Sequence, residues 1–157
     1  GLTNAAVPMS AVAVSKPIYE TLMAGPAGVE LFHGYTYSGH PLACAAALAT
    51  LEIYAEEGLF TRSLDIAPIF EEAVHGLKGL PNVIDVRNIG LMGAVELAPR
   101  DGAPGARGFD VYMNCYETGL MVRQIGDTIA MSPPLIISED QIGELVEILG
   151  AAIKTAD

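Results

Sequence analysis

The chain has 157 residues, 51% of them hydrophobic, and 19 acidic against 8 basic side chains give a formal net charge of −11. That length holds a real hydrophobic core, the charge argues against nucleic acid and an anionic membrane surface as partners, and no apolar run approaches a bilayer span. The opening "GLTNAAVPMSAVAVSKP" lacks the basic start of a signal peptide, the two cysteines, Cys44 and Cys115, fit a reducing compartment, and His33, His40 and His75 are too scattered for a metal site.

In chain order, "MSAVAV" at 9–14 reads as a short buried strand, and Ser15 caps a helix with Pro17 in its first turn that runs to about Met23. "AGPAG" at 24–28 breaks the chain, and a loop follows from Val29 to Ser38. A long helix then has Pro41 near its start and Gly58 past its end. A further helical segment covers about 59–77. Pro68 is expected to divide or restart it, with Asp65 as a local cap. Two strands follow, "NVIDVRNIG" and "LMGAVELA", with Val83, Ile84, Val86 and Ile89 supplying the β-branched character. The loop "PRDGAPGARG", with five Gly or Pro, leads to a helix near 109–118 that ends at Gly119. Strands "LMVR" and "DTIAMSPPLII" come next. Ser138, with Gln141 three residues on, is a capping box opening the last helix. The order implies an α/β chain whose two parts meet near Gly58. A strand at 9–14 is not stable alone, so its partners must come from elsewhere. The first third therefore reads as the end of a larger domain.

Three features bear on chemistry. Thr36 and Ser38 place hydroxyls just before a helix N-terminus, where free N–H groups and the helix dipole favour an anion. The plainer reading makes Ser38 a cap. The alanines Ala43, Ala45, Ala46, Ala47 and Ala49 suit either close approach by other backbone or ordinary core packing. Arg123, after three apolar residues of a strand pattern, needs an anionic partner. The commoner outcome is a structural ion pair, for instance with Asp127, and the sharper one is a carboxylate gripped in bidentate fashion. Lys16, Lys78 and Lys154 sit in no setting that lowers a lysine pKa, and no Ser–His–Asp arrangement or phosphate-cradling P-loop is present.

Four stretches, "GLTNAAVPMSAV", "ELFHGYTYSGHPLACAAALATLEIY", "IGLMGAVELAPRDG" and "GLMVRQIGDTIAMSPPLII", occur in family order from end to end. On them the chain resembles the C-terminal portion of class III pyridoxal-phosphate aminotransferases, nearest the ω-amino acid:pyruvate (β-alanine–pyruvate) group. The resemblance implies the type I PLP-dependent transferase fold, an α/β architecture. Residues 1–57 would end the large PLP-binding domain, and 58–157 would form a small α/β C-terminal domain. The strand at 9–14 would be paired, and 83–97 would be strand.

The family's Schiff-base lysine would directly precede Gly1, so the resemblance implies no catalytic residue within this chain. It implies cofactor binding by Thr36, toward the phosphate held by the partner subunit, with Tyr35 beside it. It implies that Arg123 binds the keto-acid carboxylate and moves aside for substrates lacking one there. The implied cofactor is pyridoxal 5′-phosphate. The implied partners are an amino donor and pyruvate, the N-terminal remainder of the enzyme, and a second copy in a homodimer or dimer of dimers. The implied location is the cytoplasm. Where the family usually has glycine this chain has Ala5 and Ser10. A decarboxylase, racemase or aminomutase on the same fold and a non-catalytic module remain the competing readings, and "HGYTYSGHP" with "VRQIGDTIAMSPP" favours the transaminase.

Overall fold

A computed structural model describes residues 1–28 and 34–156. The first part of the expected loop, including His33, lies outside the described residues. The chain forms two compact units, residues 1–57 and 58–157.

The first unit holds α1 (Lys16–Met23) and α2 (Pro41–Glu56). Ser15 is the N-cap of α1, and its side chain makes no cap hydrogen bond. Pro17 occupies the first turn, where a missing N–H costs nothing. Helix α2 is apolar around its whole circumference, yet only Ala43 and Thr50 are buried. Leu42, Leu48 and Leu51 stand exposed. A helix apolar on every side belongs in an interior, and the first unit by itself does not provide one. The buried Thr3 takes its hydrogen bonds locally, donating to the Val7 carbonyl and accepting the Val7 N–H.

The strand expected at 9–14 is not there. These residues belong to no helix or strand, and Met9, Val12 and Val14 are exposed. β-branched composition favours a pleated surface but cannot provide ladder partners. The four strands among the described residues pair only with one another.

Residues 4 and 5 turn through left-handed backbone, with φ of 49° at Asn4 and 60° at Ala5. Asparagine tolerates that region, whereas a Cβ in alanine meets the following carbonyl. Ala5→Gly is therefore expected to stabilise the protein, by about 1 kcal/mol. A thermal melt of the intact protein checks this, and an unchanged or lower Tm would show that the turn is not strained.

The second unit carries the core. It contains α3 (Leu59–His75), β1 (Val83–Ile89), β2 (Met92–Leu97), α4 (Ala106–Glu117), β3 (Arg123–Ile125), β4 (Thr128–Met131) and α5 (Glu139–Thr155). The sheet order is β1-β2-β4-β3, with every neighbouring pair antiparallel. Helices α3 and α4 pack on the sheet, and α5 packs on both of them. Phe70, Val74, Val95, Val111, Ile129 and Leu149 are fully buried between these layers. Gly93 leaves room for the Phe70 ring, whose Cε1 would lie 3.1 Å from a Cβ at that position.

Cys115 is also in this core, and burial pushes its thiol up to about 11, so it serves as a small apolar filler rather than a nucleophile. Ser138 caps α5 through the expected reciprocal pair: it accepts the Gln141 N–H at 3.2 Å, and its own N–H donates to Gln141 Oε1 at 3.0 Å.

Two local expectations give way. Helix α3 is continuous through Pro68, and Asp65 lies inside it rather than capping a restart. Proline frees the carbonyl four residues back, here that of Leu64, a residue 73% exposed. On a solvent-facing turn water can take that carbonyl, and the buried Ile66, Phe70 and Val74 hold the helix to the core. Helix α4 begins at Ala106, three residues ahead of the expected start, because its first turn is capped from a distance.

Candidate functional site

Arg123 opens β3, where the sequence pattern suggested a strand end. The strand registers are explicit: Arg87 pairs with Ala94, Ala94 with Ala130, and Ala130 with Arg123. These four residues form one row across the sheet. The row lies on the face opposite the buried Val86, Val95 and Ile129, because alternate residues of a strand point to opposite faces. Two arginines therefore end one row with two alanines between them.

Their electrostatics differ. Arg87 Nη1 donates to Asp85 at 2.6 Å and to Glu96 at 2.8 Å, and the Asp85 bond, followed by the Glu96 bond, raises its pKa above the ordinary value. Arg123 is exposed, and its side chain has no hydrogen bond or ion pair among the described residues. It lines a cleft of about 600 Å³, together with Ala130, Met131, Pro133, Gln141 and Glu144. The loop after β4 that forms one wall is held by Arg62, which donates from Nη1 to the Leu135 carbonyl and from Nη2 to that of Ile137 at 2.5 Å.

The suggested ion pair of Arg123 with Asp127 is not formed. Asp127 is engaged elsewhere: its Oδ2 accepts the Gly105 N–H at 2.6 Å and its Oδ1 accepts the Gly108 N–H at 3.0 Å. Gly105 is the N-cap position of α4, with φ of 85° and no side chain to cap with. Asp127 supplies the missing acceptor, and its charge suits the positive end of the helix dipole. Sequence reasoning missed this contact. Its trace is a helix start marked by glycine in "APGARG", where Ser, Thr, Asp or Asn would be the usual cap.

Tyr35 and Thr36 belong to the first unit, Arg123 to the second. Ser38 does not cap α2. Its Oγ accepts the Tyr35 N–H at 2.8 Å, and His40 is the N-cap, with no side-chain bond to the helix. Pro41 has no N–H to satisfy, so the first α2 donors that could face an anion are those of Leu42 and Ala43. Thr36 is exposed, and its hydroxyl has no protein partner among the described residues. A cleft of about 500 Å³ in the same unit is lined by Met9, Ser10, Tyr35, Tyr37, Ser38 and His40, and Thr36 is not one of its lining residues. A free hydroxyl beside an uncapped helix start is a donor set that fits one edge of a phosphate group. Among the lysines, Lys16 is an exposed residue 3.6 Å from Glu20, and Lys78 and Lys154 are exposed as well.

This architecture is that of the C-terminal part of the type I aminotransferase fold. An adenosylmethionine-8-amino-7-oxononanoate aminotransferase from Methanocaldococcus jannaschii superposes with a TM-score of 0.88 at 36% identity, over 100% of this chain and 37% of that one. The omega-aminotransferase of Caulobacter vibrioides is 51% identical over 158 aligned residues, 100% of this chain and 36% of its own length. The beta-alanine–pyruvate aminotransferase of Pseudomonas aeruginosa is 47% identical over 98% of this chain and 35% of its own. The chain thus spans about a third of the length of these curated relatives. Residues 1–153 match the aminotransferase class-III family, and the chain belongs to that family.

Proposed function

We propose that this chain is the carboxylate-recognising and phosphate-contacting portion of a pyridoxal-phosphate-dependent ω-amino acid:pyruvate aminotransferase. The observation that carries this reading is the contrast along one strand row. Arg87 is neutralised by two carboxylates, whereas Arg123 stands on the same face at the rim of a cleft with no partner for its guanidinium among the described residues. A guanidinium presents parallel N–H donors that match a carboxylate in geometry and charge. The named relatives, which are aminotransferases, favour this chemistry over decarboxylation, racemisation or amino-group migration.

Residues 1–57 end the large cofactor domain, and 58–157 form the small domain. The unburied apolar surface of α2 supports the first of these assignments. The enzyme works as a homodimer. Thr36 donates its hydroxyl to the phosphate of the cofactor held by the partner subunit, with Tyr35 beside it. Arg123 holds the carboxylate of pyruvate or of the amino donor and so fixes which carbon is presented for proton transfer. Pyridoxal 5′-phosphate, when bound, supplies the conjugated ring that accepts electrons from that carbon. The lysine that carries the cofactor lies outside this chain, and Lys16, Lys78 and Lys154 are exposed side chains with no cofactor role in this reading. The composition of the chain is consistent with a cytoplasmic enzyme, and among the described residues no helix is long and apolar enough to cross a membrane.

The direct test is to incubate the intact enzyme with β-alanine and pyruvate and measure alanine by mass spectrometry. Failure to form alanine with any ω-amino acid or amine donor would overturn the reading. A second test does not depend on turnover. Thr36→Ala is expected to weaken cofactor binding ten- to a hundred-fold, since a hydrogen bond to a charged group contributes about 1.5–3 kcal/mol. Equilibrium dialysis of pyridoxal 5′-phosphate measures it, and unchanged affinity would remove Thr36 from the site.

A further inference from the structure

We propose that Asp127 is the positioning residue for Arg123, because it ties the turn of the β3–β4 hairpin to the first turn of α4 and thereby holds the guanidinium in register for a carboxylate. The inference rests on the reading of Arg123 as a carboxylate clamp.

The β3–β4 hairpin is short. Only three residue pairs join the strands, Arg123 with Ala130, Gln124 with Ile129 and Ile125 with Thr128, and among the described residues β3 is an edge strand with no second neighbour. The β4 arm is laddered to β2 and both arms pack on α4, so β3 is the less firmly held arm. Its direction is further set by the two-residue turn at Gly126 and Asp127. Both oxygens of the Asp127 carboxylate are used, one on the Gly105 N–H at 2.6 Å and one on the Gly108 N–H at 3.0 Å. The Asp127 carbonyl also accepts the Leu97 N–H at 2.9 Å, which joins the turn to β2. Gln124 Nε2 closes the turn on itself by donating to the Gly126 carbonyl at 2.5 Å.

The approach is close enough to exclude a side chain. A Cβ on Gly108 would lie 2.3 Å from the Gly126 carbonyl oxygen and 2.8 Å from the Asp127 Cα. The turn therefore sits backbone against backbone on the start of α4, with the carboxylate bridging the two. Arg123 lies four residues before Asp127 on the arm of the same hairpin. A shift of the turn is carried along that arm to the guanidinium, and a misplacement of about 1 Å in a binding group can lower a rate on the order of a hundred-fold.

The test uses the intact holoenzyme with Asp127→Asn, Asp127→Ala, Arg123→Ala and the Asp127→Asn/Arg123→Ala double variant. Stopped-flow traces follow the keto-acid half-reaction and the half-reaction with an amine that carries no carboxylate, at a temperature where every variant is folded by its melting curve. Asparagine keeps the size and one acceptor oxygen, so it serves where alanine does not fold. For Asp127→Asn the expected result is a rise of about ten-fold in the keto-acid KM, with the amine half-reaction within about two-fold of the parent.

The double variant is expected to be no worse with keto acid than Arg123→Ala alone, because a positioning residue has nothing left to position. Equal losses in both half-reactions, or fully additive losses in the double variant, would overturn the inference and leave Asp127 as a structural cap of α4. If Arg123→Ala itself leaves the keto-acid half-reaction untouched, the carboxylate-clamp reading has failed and the inference falls with it. The Arg123 arm alone separates that outcome from a failure specific to Asp127.

Discussion

Arg123→Ala is expected to slow the keto-acid half-reaction by about 2–4 kcal/mol of lost transition-state stabilisation, while the half-reaction of an amine without a carboxylate stays nearly unchanged. The asymmetry follows from the surroundings of the side chain. The Arg123 side chain makes no ion pair or hydrogen bond among the described residues, so its removal strands no buried carboxylate, and the backbone pairing of β3 with β4 does not depend on it. An exposed arginine of this kind contributes little to stability, and the melting temperature is expected to move little. Arg123→Lys should recover part of the loss, because an ammonium keeps the charge but not the planar pair of donors. Separate single-turnover measurement of the two half-reactions decides the matter. Equal losses in both, accompanied by a lower Tm, would return Arg123 to a structural role.

The second large effect is expected at Gly108. In an ordinary helix interior, exchange of glycine for alanine gains up to about 1 kcal/mol. Gly108→Ala should instead destabilise the protein by about 2–4 kcal/mol, because its Cβ would press on backbone, not on the yielding end of a side chain. The atoms met are the Gly126 carbonyl oxygen at 2.3 Å and the Asp127 Cα at 2.8 Å. To relieve that contact the helix must withdraw from the turn, and the Gly108 N–H then loses its 3.0 Å bond to the Asp127 carboxylate.

Gly143 provides the control. It lies in α5 of the same unit, and a Cβ there would meet nothing within 4 Å. Gly143→Ala should therefore raise the Tm slightly while Gly108→Ala lowers it by several degrees. Thermal melts of the two variants beside the parent test the pair. A Gly108→Ala protein as stable as its parent would show that α4 can slide without consequence for the hairpin.

Much of the second unit was legible before any coordinates. Ser138 and Gln141 announce the start of α5 because a capping box works across three residues of one chain. The apolar runs around Val83–Ile89, β-branched, and Met92–Leu97 announce two strands because the pattern is local. The motifs around Thr36 and Arg123 carried the family, and the match over residues 1–153 agrees with them.

The misses have a common cause. Pro68 reads as a break because its effect on the ladder is local, but the anchoring of Ile66, Phe70 and Val74 in the core outweighs one lost bond. "MSAVAV" reads as a strand because its composition suits one, yet a strand exists only when another backbone lies alongside, and among the described residues none does.

For the candidate site the division is sharpest at Arg123 and Asp127. Sequence by itself determined that an arginine follows an apolar run, that an acid stands four residues on, and that an anion must answer the arginine. Only the tertiary structure decided which anion does not. Asp127 turns away to Gly105 and Gly108, which are 22 and 19 residues distant in the chain. Likewise only the register shows that Arg87 and Arg123 end one row, with Asp85 and Glu96 claiming the first and no described residue claiming the second. Caps and turns are chosen by neighbours within a few residues, and the sequence displays those neighbours side by side. The partner of a charge is chosen by whichever backbone the sheet and helices bring within about 3 Å, and that choice exists only after they have packed.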